Sequence, residues 1–195
     1  MEINFPTPSM STIEVAKNLL GMVLKVKIND EVMCGYIVET EAYLFPEDEC
    51  SHSYQGKRTP KNEVMYDKAG TWYVYQIHTY NMLNLVTREK NVSEAVLIRG
   101  IEPIFPKTKE ILTNGPGKLT RFYGITRELN GTTIQNGFLT LEKGKIPQKI
   151  LSTARIGVSG SEKWKEAPLR FCVAGNPYVS KMKKRETERA EDTWN

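Results

Sequence analysis

Apolar positions along the chain change period several times, and each change predicts an element. Ile13, Val15, Ala16, Leu19 and Leu20 follow Ser11 at helical spacing, so a short helix capped by Ser11 is expected through Leu20. Over 22–28 Val26 and Ile28 alternate with lysines, which predicts a strand. Asn29-Asp30 supplies a turn, and 36–43 returns as the second strand of a hairpin. Residues 44–60 carry Pro46, Gly56 and Pro60 and read as a loop, followed by a short helical turn within 61–67. The aromatic and β-branched run 71–77 predicts a strand paired with 82–87 across a tip at 78–81. A further strand is expected over 95–100, with Pro103 and Pro106 interrupting the pattern beyond it. Gly115-Pro116-Gly117 breaks the chain before a helix starting at Lys118 or Leu119. Short strands are expected over 138–141 and 149–152, a last one over 169–174, and a charged, fraying tail from Lys181. No repeat, low-complexity tract or linker divides the chain. The pattern predicts one mixed domain over 1–195 with many short antiparallel strands.

Composition narrows the class only slightly. A chain of 195 residues with 39% hydrophobic and 26% charged residues can bury a sizeable core as one domain. A net charge of +4 permits nucleic-acid binding without requiring it. The distribution says more: 39–49 holds Glu39, Glu41, Glu47, Asp48 and Glu49 and no base. Basic residues gather elsewhere, at Lys57, Arg58 and Lys61, at Lys107 and Lys109, at Lys118 and Arg121, at Lys143, Lys145 and Lys149, and from Lys181 to Arg185. Three cysteines at long spacings, Cys34, Cys50 and Cys172, suggest neither a disulfide framework nor a zinc site. Residues 1–11 lack the pattern of a signal peptide and no apolar run is long enough to span a bilayer, so the cytoplasm (the nucleoid, in a bacterium) is expected. With His52 and His78 the only histidines and no Walker loop, GxGxxG, HExxH or GxSxG, neither a metal nor a cofactor is expected.

Chemistry concentrates in 38–43. On a strand, Glu39, Glu41 and Tyr43 share one face, with the two carboxylates roughly 6–7 Å apart. A solvent edge would produce the same spacing. Three features favour a site: Tyr36 and Tyr43 flank the acids, His52 follows after a short loop, and that loop adds the charges of Glu47, Asp48 and Glu49. A carboxylate desolvated beside aromatic rings makes a general base, and the same rings can stack on a flat base. Tyr73 and Tyr75 share a strand face, the usual position of core residues, whereas a hairpin tip with His78, Tyr80 and Met82 exposes bulky side chains of the kind that wedge into DNA. Gly115-Pro116-Gly117-Lys118 suits a single phosphate or a plain helix start. These features also accommodate a non-catalytic binder of distorted nucleic acid, or a glycoside hydrolase using two carboxylates.

Taken in order, several segments resemble the alkyladenine (3-methyladenine) DNA glycosylase family. They are 37–44, Pro46 to Glu49, His52-Ser53, 59–62, 70–75, 96–103, 115–119, 154–158 and 168–171. The resemblance implies a single compact α+β domain with a curved, mainly antiparallel sheet core, flanking helices and a protruding β-hairpin. It implies a hydrolase that flips damaged purines from double-stranded DNA; with no lysine motif for a Schiff base it is expected to be monofunctional, and a monomer is the default for a protein that must wrap duplex DNA. Under it Glu41 is the general base, and Arg99 and the carbonyl of Ile156 help to hold the water. Tyr43, His52 and Tyr75 form the base pocket, and Asn84 screens out the exocyclic amine of guanine. The hairpin tip supplies the intercalating plug; apart from the resemblance, the turn at Gly117 and Lys118 is expected to hold a phosphate. The tip departs from the family pattern: 75–84 is one residue short, so the plug is His78 or Tyr80, with His78 ranked first.

Overall fold

The computed structural model describes residues 5–7, 9–108, 110–135 and 137–195. Lys109 of one basic cluster and residues 1–4 of the segment read for a leader lie outside them. Helix α1 (Thr12–Asn18) begins at Ser11 through a reciprocal cap. Ser11 Oγ accepts from the Glu14 amide at 3.2 Å, and the Glu14 carboxylate accepts from the Ser11 amide at 2.7 Å. The helix ends short of the expected Leu20, yet Leu19 and Leu20 stay buried under the sheet.

Strands β1 (Val23–Ile28) and β2 (Glu31–Tyr43) form the expected hairpin. Asn29 and Asp30 both take positive φ, 49° and 65°, so the turn consumes only two residues and β2 starts at Glu31 rather than Tyr36. The remaining strands are β3 (Trp72–Ile77), β4 (Tyr80–Val86), β5 (Ala95–Phe105), β6 (Leu139–Glu142), β7 (Ile150–Thr153) and β8 (Arg170–Val173). They join one antiparallel, curled sheet in the order β3-β4-β5-β2-β1-β6, with β8 pairing both β2 and β7. With helices α1, α2 (Pro116–Phe122) and α3 (Glu162–Glu166) the protein is a mixed α+β fold. β2 is its axis: β5 lies along one side, and β1 and then β8 along the other.

Several boundaries differ from expectation for identifiable reasons. β5 does not stop near Gly100 but runs through Pro103, which faces Gly35 where the β2–β5 register shifts. Proline is tolerated in a sheet at such irregularities. The tip between β3 and β4 is two residues, His78 and Thr79, because Ile77 already pairs with Tyr80. α2 begins at Pro116, a residue pre-set for the first helical position. α3 is a single short turn that the pattern did not predict. The tail does not fray. Trp194 is buried, Pro147 and Trp194 form a β-bridge, and the indole N–H of Trp194 donates to Glu102 at 3.0 Å. The main core joins α1, the sheet and α2 through Leu19, Ile37, Trp72, Ile98, Tyr123 and Phe171. Among the described residues no helix is long and apolar enough to cross a membrane.

Candidate active site

The alternation on β2 sends its side chains two ways. Val38 and Ala42 enter the core, and the Thr40 hydroxyl donates to the Ala16 carbonyl of α1 at 2.9 Å. Glu39 and Glu41 point to the opposite side and share one guanidinium, that of Arg99 on β5. Both acids are fully buried, but their surroundings differ. Glu39 accepts from Arg99 Nε at 3.0 Å, Arg170 Nε at 2.7 Å, the Ser180 amide at 2.7 Å and the Ser180 hydroxyl at 2.8 Å. Two cations and two further donors occupy it.

Glu41 accepts three weaker or fewer-charge contacts: the Ile156 amide at 2.7 Å, the Tyr43 hydroxyl at 3.0 Å and Arg99 Nη1 at 3.3 Å. Burial raises its proton affinity above the ordinary carboxylate value, and Arg99, Ile156 and Tyr43 only partly offset that. Tyr43, Arg99 and Ile156 all line a cavity of about 440 Å³, with Glu41 one layer behind them. That volume lies within the range of about 300–1,000 Å³ usual for ligand pockets.

Aromatic rings build the other wall. Tyr73 and Tyr75 stack with centroids 5.2 Å apart and planes 30° from parallel. His52 meets Tyr75 edge-on at 4.6 Å, and its Nδ1 lies 3.2 Å from the Tyr73 hydroxyl. Burial, with Lys57 nearby, lowers the His52 pKa, so the ring is neutral at pH 7. Burial pushes the Tyr75 phenol up to about 12 and those of Tyr43 and Tyr73 up as well, so all three stay protonated. Asn84 lies across from Tyr73 in the β3–β4 register, and its side-chain amide donates to the carbonyls of Tyr73 and Met82 at 3.1 Å each. It too lines the cavity.

Two loops close the site, pinned by one buried ion pair. Arg155 Nη1 and Nη2 meet Asp48 Oδ2 and Oδ1 at 2.6 and 2.7 Å. Asp48 also accepts from the amides of Leu44 and Cys50, and Arg155 donates to the Ala42 carbonyl and stacks its guanidinium 4.7 Å over the Tyr43 ring. This fixes Ile156, the next residue, with its amide on Glu41. The charge on 46–49 was expected to belong to the chemistry, but Asp48 is a structural clamp and Glu49 accepts from the Ser161 amide.

The structure thus gathers Glu41, Tyr43, His52, Tyr75, Asn84, Arg99 and Ile156 around one cavity. Ile156 touches Glu41 through its amide. His78 at the hairpin tip and Tyr80 at the start of β4 stand outside that lining; Lys118 is exposed and donates to Asn114, and Gly117 is buried. Sequence reasoning missed Tyr73, Met65, Cys50 and Leu97 in the wall. Tyr73 had a signal, since it shares the strand face of Tyr75; the others had none.

A buried carboxylate thus stands behind an aromatic-walled cavity on a curled antiparallel sheet. The chain belongs to the methylpurine-DNA glycosylase family, whose model matches residues 7–177. Its relatives include a protein of Enterococcus faecalis named "Putative 3-methyladenine DNA glycosylase", 44% identical, with 94% of this chain and 86% of that protein aligned. Proteins of the same name from Staphylococcus carnosus and Listeria monocytogenes are each 43% identical. The alignments cover 94% of this chain and 95% of the first, and 90% of this chain and 90% of the second. Membership makes the protein a DNA-repair hydrolase that acts on DNA.

Proposed function

We propose that the whole chain works as one monofunctional glycosylase domain, which draws a damaged purine out of duplex DNA and hydrolyses its N-glycosidic bond with water activated by Glu41. The observation that carries this is the contrast between the two acids. Glu39 is saturated by two guanidiniums and Ser180, while Glu41 has raised proton affinity directly behind the cavity wall. A carboxylate of raised pKa is the better general base, and as an anion it also stabilises an oxocarbenium-like centre. Arg99 keeps Glu41 in place, and Arg99 with the Ile156 carbonyl completes the cradle for the water.

Tyr43, His52 and Tyr75 sandwich and read the flipped base. Asn84, tethered to two carbonyls, cannot swing aside to admit the exocyclic amine of guanine. A cationic purine such as 3-methyladenine or 7-methylguanine leaves as a neutral base and needs no acid. Hypoxanthine and ethenoadenine need a proton, and the neutral His52 and protonated phenols are weak sources of one. Alkylated purines are therefore the primary substrates. Among the described residues no lysine lines the cavity, which supports hydrolysis without a Schiff base. A second groove of about 500 Å³ shares His52, Tyr73, Tyr75 and Ile77 with the first and adds Lys57, Lys61 and Arg127, cations suited to the flanking phosphates. A monomer suffices for this duplex grip.

The test is release of abasic sites, with EDTA present, from methylated DNA and from duplexes carrying a single hypoxanthine or ethenoadenine. Wild type releases methylated purines and Glu41→Gln does not. Binding to damaged duplex without release of any base would leave only a lesion-binding protein.

A further inference from the structure

The β3–β4 hairpin borders both the cavity and α2. Ile77 and Met82 face the cavity, Ile77 is exposed, and His78 at the tip holds a positive φ of 52°. Tyr80, the partner of Ile77 across the tip and so on the same face of the ribbon, reaches sideways onto α2. A Cβ built on Gly117 would lie 2.6–2.8 Å from atoms of the Tyr80 side chain, so only glycine lets the ring seat there. The Arg121 guanidinium covers the same ring at 4.8 Å. Next to it, the Asn81 side chain donates to the Ile125 carbonyl at 3.0 Å, and the Thr120 hydroxyl donates to the Asn81 carbonyl at 2.8 Å. Pro116, at the start of α2, lines the cavity. One short helix thus flanks both the β4 edge of the hairpin and the pocket.

We infer that Tyr80 is a positioning residue, a buttress clamped between Gly117 and Arg121, that holds the hairpin at the angle at which His78 and Ile77 enter the base stack. This rests on the base-flipping reading above. A ring packed on glycine under a guanidinium must break both contacts to intercalate, whereas His78 needs to break neither. Gly117 then serves the hairpin rather than a phosphate.

The experiment compares single-turnover excision, at saturating enzyme, of one 7-methylguanine in two settings. In one the lesion is paired in duplex; in the other it lies opposite an abasic site, where the stack is already open and a wedge matters little. The readout is the ratio of paired to unpaired rates, which a general loss of fold or of the cavity does not move. Gly117→Ala, whose methyl collides with the ring, and Arg121→Met, which uncovers it, are each expected to lower the ratio about tenfold. Tyr80→Phe is expected to keep it. Adding Tyr80→Ala to Gly117→Ala removes the collision, so the double variant is no worse than Tyr80→Ala alone. If Tyr80 is itself the wedge, Arg121→Met frees it and the ratio holds or rises, which overturns the proposal. An unchanged ratio in Gly117→Ala also overturns it. Wild type that excises the lesion in neither setting overturns the glycosylase reading and the buttress with it; excision with an unmoved ratio overturns the buttress alone.

Discussion

Glu39 and Glu41 are two residues apart and share Arg99, so paired substitutions to glutamine test which acid does what. Glu39→Gln removes the negative charge from between a buried guanidinium, that of Arg99, and a partly buried one, that of Arg170. Breaking a buried ion pair by removing one partner costs about 3–5 kcal/mol. For a domain of this size each kcal/mol moves Tm by about 2–4 °C, so a fall of about 6–20 °C is expected. Glu41→Gln has the opposite sign. Burial disfavours the ionised Glu41, and Arg99 keeps Glu39 as a partner, so a neutral amide relieves desolvation and leaves Tm at pH 8 no lower than wild type. Activity reverses the order: losing a general base costs about 10²–10⁴-fold in the single-turnover rate. Differential scanning calorimetry and excision from methylated DNA read both quantities on the same preparations. A Glu41→Gln variant that keeps its rate, or one that melts well below wild type, refutes the division of roles. So does a Glu39→Gln variant as stable as wild type.

The pH dependence follows from the same carboxyl. Its folded pKa is raised, so the base ionises, and the rate rises, through a limb above the ordinary carboxylate range near pH 4.5; a limb at or below that value would contradict the assignment. The folded state holds the Glu41 proton longer than the unfolded chain does, so this group's contribution to stability falls as pH rises between the two pKa values, and Glu41→Gln removes that component from a pH series of melts. Asp48→Asn breaks the fully buried clamp on Arg155 and is expected to cost about 3–5 kcal/mol and slow excision as Ile156 loses its place; a variant with wild-type Tm argues against it. Trp194→Ala removes an indole that is 6% exposed and is expected to cost about 3–5 kcal/mol, read as a lowered urea midpoint. Lys57→Gln and Lys61→Gln are each expected to lower the slope of log affinity against log salt by about 1, measured by fluorescence anisotropy on duplex; unchanged slopes would remove the second groove from the DNA path.

What the sequence revealed of this site was what strand geometry dictates locally. A period of two puts Glu39, Glu41 and Tyr43 on one face whatever the rest of the chain does, and the aromatic run 72–77 announces its own strand. The capping box at Ser11 is equally local. What stayed hidden depends on contacts between distant segments. Arg155 and Asp48 are 107 residues apart, and nothing near either one shows that they neutralise each other. Ser180 and Arg170 reach Glu39 from 141 and 131 residues away, and their arrival, rather than anything in 38–43, gives Glu39 donors that Glu41 lacks. The charged tail looked solvated because its count of lysines outweighs one tryptophan, yet burying that one ring and its hydrogen bond to Glu102 suffices to hold the chain end. Composition averages over a segment, whereas anchoring depends on single side chains. For that reason local pattern put both carboxylates on one strand face but could not tell Glu39 from Glu41, whose donors come from distant segments.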